Sequence, residues 1–352
     1  MTRHIVAIGP LPPPLHGFSF ATAAMVELLL EDHTVVTSNL SPPAGGSRLW
    51  RHPAKAIKVF AALASLARER GHPDKACYLA CDGGFGQLYT LLLVAFARLF
   101  AYPTYLHHHS FRYIDRPSIT MRAILALAAP DLTHVFLCGM MRDRFTDTYD
   151  RRLHTAIISN AAFVPSQSED AAIPARPLTI GMLSNLSRAK GLETFLDLLR
   201  QAILQGLPIR AVLAGPATDS ADRAMIDAAL GEFAGALDYR GRVLGDDKAK
   251  FYRDIDVFVF PTTYANEAQP LVVFEAKAAG NDVIAFDRGC IRKQLDETDL
   301  LIPADAEFTD IAIAWLSEIP SDDRRDQRRH EVRQVYEIRQ KTARKQAKSL
   351  MQ

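Results

Sequence analysis

The stretch 258–289, FVFPTTYANEAQPLVVFEAKAAGNDVIAFDRG, carries two glutamates, Glu267 and Glu275, with seven residues between them. It opens as an apolar, strand-like run, breaks at Pro261, crosses a polar loop and becomes periodic at helical spacing from Leu271. Glu267 therefore falls in the loop and Glu275 in the first turns of a helix. A helix start at this point presents free backbone N–H groups and a partial positive charge, a setting that suits a phosphate. Glu275 sits among Val272, Val273, Phe274 and Ala276, where a carboxylate without a partner is costly, and this favours a ligand role. Glu267 has a plainer alternative, as an exposed loop acid or as a cap for the helix.

Three other stretches could do chemistry. The polar loop 184–191 follows an apolar strand and carries Arg188 and Lys190. The run His107-His108-His109 closes another strand, and alternation puts His107 and His109 on one side with His108 opposite. Such histidines could be a general base, phosphate ligands or metal ligands, or could simply bond backbone carbonyls at a sheet edge. The metal reading is the weakest, since no carboxylate or cysteine lies close by in sequence. The third stretch, Gly-Pro-Leu-Pro-Pro-Pro-Leu-His-Gly17, joins a first strand to a helix and ends at a glycine where an anion could approach the backbone; a rigid connection is the bland alternative. Asp82-Gly-Gly-Phe-Gly86 lacks the spacing of a dinucleotide fingerprint and reads as a turn.

The elements that must position these residues alternate between β and α along both halves. Strands are expected at 4–9, 35–39, 76–81, 103–106, 134–138 and 155–160, then at 178–183, 209–215, 237–240, 256–260 and 283–286, with helical periodicity between them. This pattern predicts an α/β chain with a parallel sheet in each half and ligand sites at the C-terminal strand ends. The expected organisation is an N-terminal domain at 1–165, a polar linker at 166–177, a C-terminal domain at 178–325 and a basic terminal helix at 326–352. Residues 324–352 hold ten Lys or Arg against three acids. A solvated surface helix is the simpler reading of that segment, and a face for anionic lipid the alternative.

Composition bounds the class. The 352 residues suffice for two ordinary domains, 48% are hydrophobic, 23% are charged, and a net charge of +1 gives no reason to expect nucleic acid. Four scattered cysteines do not make a disulfide framework, which favours a reduced cytoplasm. The first apolar run ends in prolines and reads as a buried strand, and the longest apolar stretch, 88–102, is too short for a bilayer and contains Arg98.

Taken together these motifs resemble the family 4 glycosyltransferases, over nearly the full length of the chain. The family pattern FPS…E-G-F-G-L-P…EA-A-G-PV-A-D-GG, with seven residues between its glutamates, is similar to FPTTYANEAQPLVVFEAKAAGNDVIAFDRG. Its strand followed by G-R-L…K-G resembles Gly181-Met-Leu-Ser-Asn-Leu-Ser-Arg-Ala-Lys-Gly191, and Asn160 sits at the usual close of the first domain. The resemblance implies the GT-B fold, two Rossmann-like parallel-sheet domains facing each other across a cleft, with the terminal helix crossing back to brace the first domain as a further reading of 326–352.

It also implies roles. Lys190 would pair with the diphosphate of a nucleoside diphosphate sugar, Glu275 would bind the ribose hydroxyls, and Glu267 would contact the transferred sugar. Backbone from Gln269 through Pro270 and Leu271 to Val272 would line sugar and phosphates. Gly17 would contribute at the N-terminal face, with His109 or His107 as the strand-end histidine. The family implies retention of configuration, no metal and no cofactor beyond the donor. Three departures matter. Asn185 replaces a usual arginine, leaving Arg188 as the candidate second cation, and a lost charge-assisted contact costs about 1.5–3 kcal/mol. Phe18 replaces the second glycine of a pair, and Pro270 has no N–H to offer.

The expected activity is transfer of a hexose to a lipid-linked or glycan acceptor in surface polysaccharide assembly, in the cytoplasm or peripherally on the inner membrane face. The alternatives are a sugar-nucleotide epimerase on the same fold and a degenerate protein that binds nucleotide sugars without transferring them.

Overall fold

A computed structural model describes residues 2–42, 51–128, 132–167, 176–319 and 322–352. The chain divides into two compact units, Met1–Phe163 with Lys341–Gln352, and Val164–Gln340. Most of the expected linker lies outside the described residues.

The first unit runs β1 (His4–Gly9), α1 (Gly17–Leu30), β2 (Thr34–Asn39), α2 (Arg51–Glu69), β3 (Lys75–Cys81), α3 (Gly86–Leu99), β4 (Thr104–His108), α4 (Arg112–Asp115), α5 (Ile119–Ala128), β5 (Leu132–Phe136), α6 (Gly139–Tyr149) and β6 (His154–Ile157). Its sheet is ordered β2-β1-β3-β4-β5-β6, with every pair parallel. β1 and β3 are almost wholly buried because helices cover both faces, which explains their unbroken apolar runs. β4 extends past the strand end expected at residue 106, so His107 and His108 are ladder residues and not loop residues.

The second unit runs β7 (Leu178–Leu183), α7 (Leu192–Leu204), β8 (Ile209–Ala214), α8 (Ser220–Glu232), β9 (Leu237–Tyr239), α9 (Gly245–Asp254), β10 (Val257–Phe260), α10 (Leu271–Ala278), β11 (Asp282–Phe286), β12 (Leu300–Ile302) and α11 (Phe308–Ser317), followed by the long α12 (Asp322–Lys348). The sheet order is β12-β11-β10-β7-β8-β9, again parallel throughout. From β7 the chain winds outward through β8 and β9, returns to the other side of β7 as β10, and winds outward again. The order therefore reverses between β7 and β10, and the loops at their C-terminal ends diverge to leave a crevice, the usual ligand position in such sheets.

Two glycines allow these loops to close on one another. Gly191, at φ +91°, lies so near Pro261 that an added Cβ would sit 2.3 Å from its carbonyl oxygen. Gly289, at φ +50°, would place a Cβ 2.2 Å from the carbonyl oxygen of Glu267. Both positions need left-handed backbone and no side chain at once.

α10 is fixed from beneath by a charge. Lys277, 1% exposed, lies 2.8 Å from Asp299 Oδ1 and 2.8 Å from Asp296 Oδ2, and Asp299 also accepts the Val283 and Asp296 N–H groups. The basic α12 is not the solvated helix that its composition suggests. Arg325 and Arg329 reach Asp256, Arg328 pairs with Asp282, Arg333 donates to Ala279 O and Arg339 to Gln294 O, all within the second unit. Arg344 and Lys348, in the first unit, pair with Glu31.

Replacing Lys277 with Met leaves Asp299 buried and uncompensated, so the second unit should lose about 3–5 kcal/mol. Urea unfolding measures this. A wild-type midpoint would show that the pair does not hold α10 in place.

Candidate functional site

In the second unit the reversal between β7 and β10 brings Lys190 and Glu267 together, 77 residues apart in sequence: Lys190 Nζ lies 2.6 Å from Glu267 Oε2. Lys190 ends a short 3-10 turn, Arg188–Lys190, in which the Ser187 hydroxyl caps the Lys190 N–H. The turn is tied to the facing loop by the Thr263 N–H, which donates to Ala189 O at 3.0 Å. The Thr262 hydroxyl donates to the same Glu267 oxygen at 3.3 Å, and the Tyr264 ring centroid lies 4.7 Å from the ammonium, close enough for a cation–π contact. Lys190 and Glu267 side chains are 25% and 11% exposed, so the pair is sheltered yet open on one side. Its ammonium is available to a more highly charged anion that competes with the carboxylate.

Glu275 is the fifth residue of α10. Lys248 Nζ contacts Oε1 at 2.7 Å, and the Tyr252 hydroxyl donates to Oε2 at 2.9 Å. A carboxylate has about four acceptor positions, so these two partners fix its orientation and leave room for hydroxyl donors. Burial, together with the neighbouring Glu275 charge, holds the Tyr252 phenol well above its ordinary pKa, keeping it a donor.

The start of α10 is shaped by Pro270. Its carbonyl accepts the Val273 N–H at 3.3 Å and Gln294 Nε2 at 2.9 Å, and no side chain caps the helix. The N–H groups of Leu271 and Val272 have no carbonyl one turn back, so they are the donors this helix start can offer. Gln269 is buried beside them, and the loop is pinned by the Cys290 N–H to Ala268 O at 2.7 Å.

Not every expected residue converges here. Arg188 points outward and pairs with Glu193 at 3.0 Å, with both side chains mostly exposed, and Asn185 is exposed too. Arg288 adjoins Gly289, which packs on Glu267, and its Nε is buried without a hydrogen-bond partner. Sequence reasoning missed Arg288, Thr262, Tyr264 and the Lys248–Tyr252 pair. For the last, the spacing shows only that residues four apart on one helix face the same way, and not what they face.

In the first unit Gly17 opens α1 as an exposed residue, and His16 before it forms a reciprocal cap with Ser19. Phe18 packs on the His109 ring at 5.0 Å, and His109 on His107 at 4.1 Å. His107 is fully enclosed, with Nδ1 2.7 Å from the Tyr78 hydroxyl. His108 faces the other way into a cluster with Tyr113 and His134, at 2.9 Å each. Burial pushes His109 and His134 down to about 3, and drives His107 and His108 well below the ordinary range, helped by their histidine neighbours. These rings are neutral, and His109 Nε2 is buried without a hydrogen-bond partner, so His109 is not a cation here.

A histidine that takes a proton unfolded at about 6.5 but not folded until about 3 makes the fold less stable as pH falls below 6.5. Between pH 6.5 and 5 the buried His134 alone should cost roughly 2 kcal/mol. Urea midpoints at pH 7, 6 and 5 should drop steeply, and His134→Phe should flatten the slope; an unchanged slope in the variant would count against the neutral cluster.

Residues 177–318 match the family described as glycosyl transferases group 1. A search of curated proteins finds no match. Among solved structures, Anabaena Alr3699/HepE in complex with UDP-glucose is similar at a TM-score of 0.68 and 14% identity, covering 97% of this chain and 98% of that one. Sucrose-phosphate synthase from Thermosynechococcus elongatus gives 0.65 and 16%, covering 97% and 98%. The catalytic domain of starch synthase IV from Arabidopsis thaliana, bound to ADP and acarbose, gives 0.67 and 11%, covering 99% and 100%. The segment 177–318 thus matches the group 1 glycosyl transferases, within a chain whose two parallel-sheet units have the GT-B fold.

Proposed function

We propose that this chain is a retaining, metal-independent glycosyltransferase of family 4 that moves a hexose from a nucleoside diphosphate sugar to a lipid-linked or glycan acceptor in surface polysaccharide assembly. The observation that carries the reading is the Lys190–Glu267 pair at the strand-order reversal, flanked by the oriented Glu275 and the uncapped start of α10. In this account the diphosphate displaces Glu267 from Lys190. The ribose hydroxyls donate to Glu275, and the Leu271 and Val272 N–H groups receive phosphate oxygens. Arg288, with its buried unpaired Nε, supplies the second cation in place of Asn185, a role for which the outward Arg188 is poorly placed.

Released from Lys190, Glu267 turns to the hexose. The acceptor hydroxyl attacks the anomeric carbon, the bond from that carbon to the diphosphate oxygen breaks, and the acceptor proton passes to the departing phosphate on the same face. Lys190, Arg288 and the helix start stabilise the charge that accumulates on the leaving group. Residues around Gly17 and the neutral His109 serve the acceptor side. UDP-sugars are the first donors to test, because the similar HepE structure holds UDP-glucose. No described helix is long and apolar enough to cross a membrane. With most α12 cations engaged by the protein, peripheral membrane contact would rest on exposed apolar residues such as Val335 and Ile338.

A thermal-shift screen of UDP-, GDP-, ADP- and dTDP-sugars tests the reading. One donor at about 100 times its dissociation constant should add about 2.7 kcal/mol. Lys190→Ala and Glu267→Ala should keep the fold and lose transfer, and Glu275→Gln should weaken donor binding about tenfold. Donor binding with neither hydrolysis nor transfer would favour a binding protein, interconversion of the free donor would favour an epimerase, and near-normal turnover of the alanine variants would overturn the site.

A further inference from the structure

At the opposite end of the first sheet from His107–His109, three side chains from separate segments converge. His4 is the first residue of β1, Glu69 the last of α2, and His72 follows in the loop that leads to β3. His4 Nε2 lies 3.0 Å from Glu69 Oε2, and His72 Nε2 lies 3.3 Å from that same oxygen. The two imidazoles stack at 3.7 Å with only 10° between their planes, so one ion can lie in both ring planes only once the half-exposed His72 ring turns out of the stack. All three ligand atoms fall within 4.8 Å of one another.

The backbone holds this arrangement. The His4 N–H donates to Asp74 O at 3.1 Å, and the His72 N–H donates to Glu69 O at 3.3 Å. His4 and Glu69 are each 16% exposed at the side chain, whereas His72 is 49% exposed.

We propose that His4, Glu69 and His72 form a binding site for a divalent ion of the zinc type, which ties the start of β1 to the end of α2. Zinc bonded at about 2.0–2.1 Å in a tetrahedron separates its ligand atoms by roughly 3.3 Å, close to both measured nitrogen–oxygen distances. Two imidazole nitrogens with one carboxylate oxygen suit zinc, cobalt or nickel, and are too rich in nitrogen for magnesium or calcium. The open side at His72 leaves a fourth position for water. The site lies at the N-terminal strand ends, so the ion takes no part in glycosyl transfer.

The test uses the full-length chain without a purification tag, stripped by chelator and dialysed. Zinc titration by calorimetry should show one ion per chain and raise the melting temperature. Cobalt should give the intense visible absorption of a tetrahedral site. His72→Ala, at a half-exposed position, should retain the metal-free melting temperature, weaken zinc binding at least tenfold and lose the cobalt band. Glu69→Gln should weaken binding likewise. No uptake by the wild type, or affinity within tenfold of wild type in His72→Ala, would overturn the site and leave a histidine–carboxylate hydrogen-bond cluster.

Discussion

The strand-order reversal between β7 and β10 is the constraint on which the second unit depends. Parallel strands end together, so two loops 77 residues apart in sequence must share one crevice, and the only charged pair they place in hydrogen-bond contact is Lys190 with Glu267 among the bonds described. The crevice tolerates this approach because Gly191 and Gly289 take left-handed backbone where any Cβ would collide with the opposite loop. Lys277, buried beneath α10 between Asp296 and Asp299, sets the height at which the α10 start meets that crevice. Fold, loop geometry and the position of Glu275 are thus consequences of one topology.

Much of this was legible in the sequence because it was written in local signals. Apolar runs placed nearly every strand, and the break at Pro261 with periodicity from Leu271 placed Glu267 in a loop and Glu275 on a helix. What escaped depends on distant partners. Lys248 and Tyr252 lie on α9, and nothing local says that they face Glu275. The resemblance made Arg188 the candidate second cation in place of Asn185, whereas its turn directs it to Glu193. β12, at three residues, is too short to show a period.

The basic terminal segment shows how composition can mislead. Ten cations on one stretch read as a solvated face, yet α12 buries Val332 and Tyr336 and directs its arginines to Asp256, Asp282 and backbone carbonyls. The triple histidine was equally ambiguous. Alternation correctly separated His108 from His107 and His109, but only packing reveals that all three are kept neutral, two of them by complete enclosure. Neutral rings suit hydrogen bonding to sugar hydroxyls better than they suit binding a phosphate.

The central claim is that Lys190 is held by Glu267 in readiness for a diphosphate. Calorimetric titration of a nucleoside diphosphate and the monophosphate of the same base, against wild type and Lys190→Met, tests it most directly. The account predicts that wild type prefers the diphosphate by tenfold or more, in keeping with a charge-assisted contact of about 1.5–3 kcal/mol, and that the variant loses that preference while still binding the nucleoside. An equal preference in both proteins would contradict it.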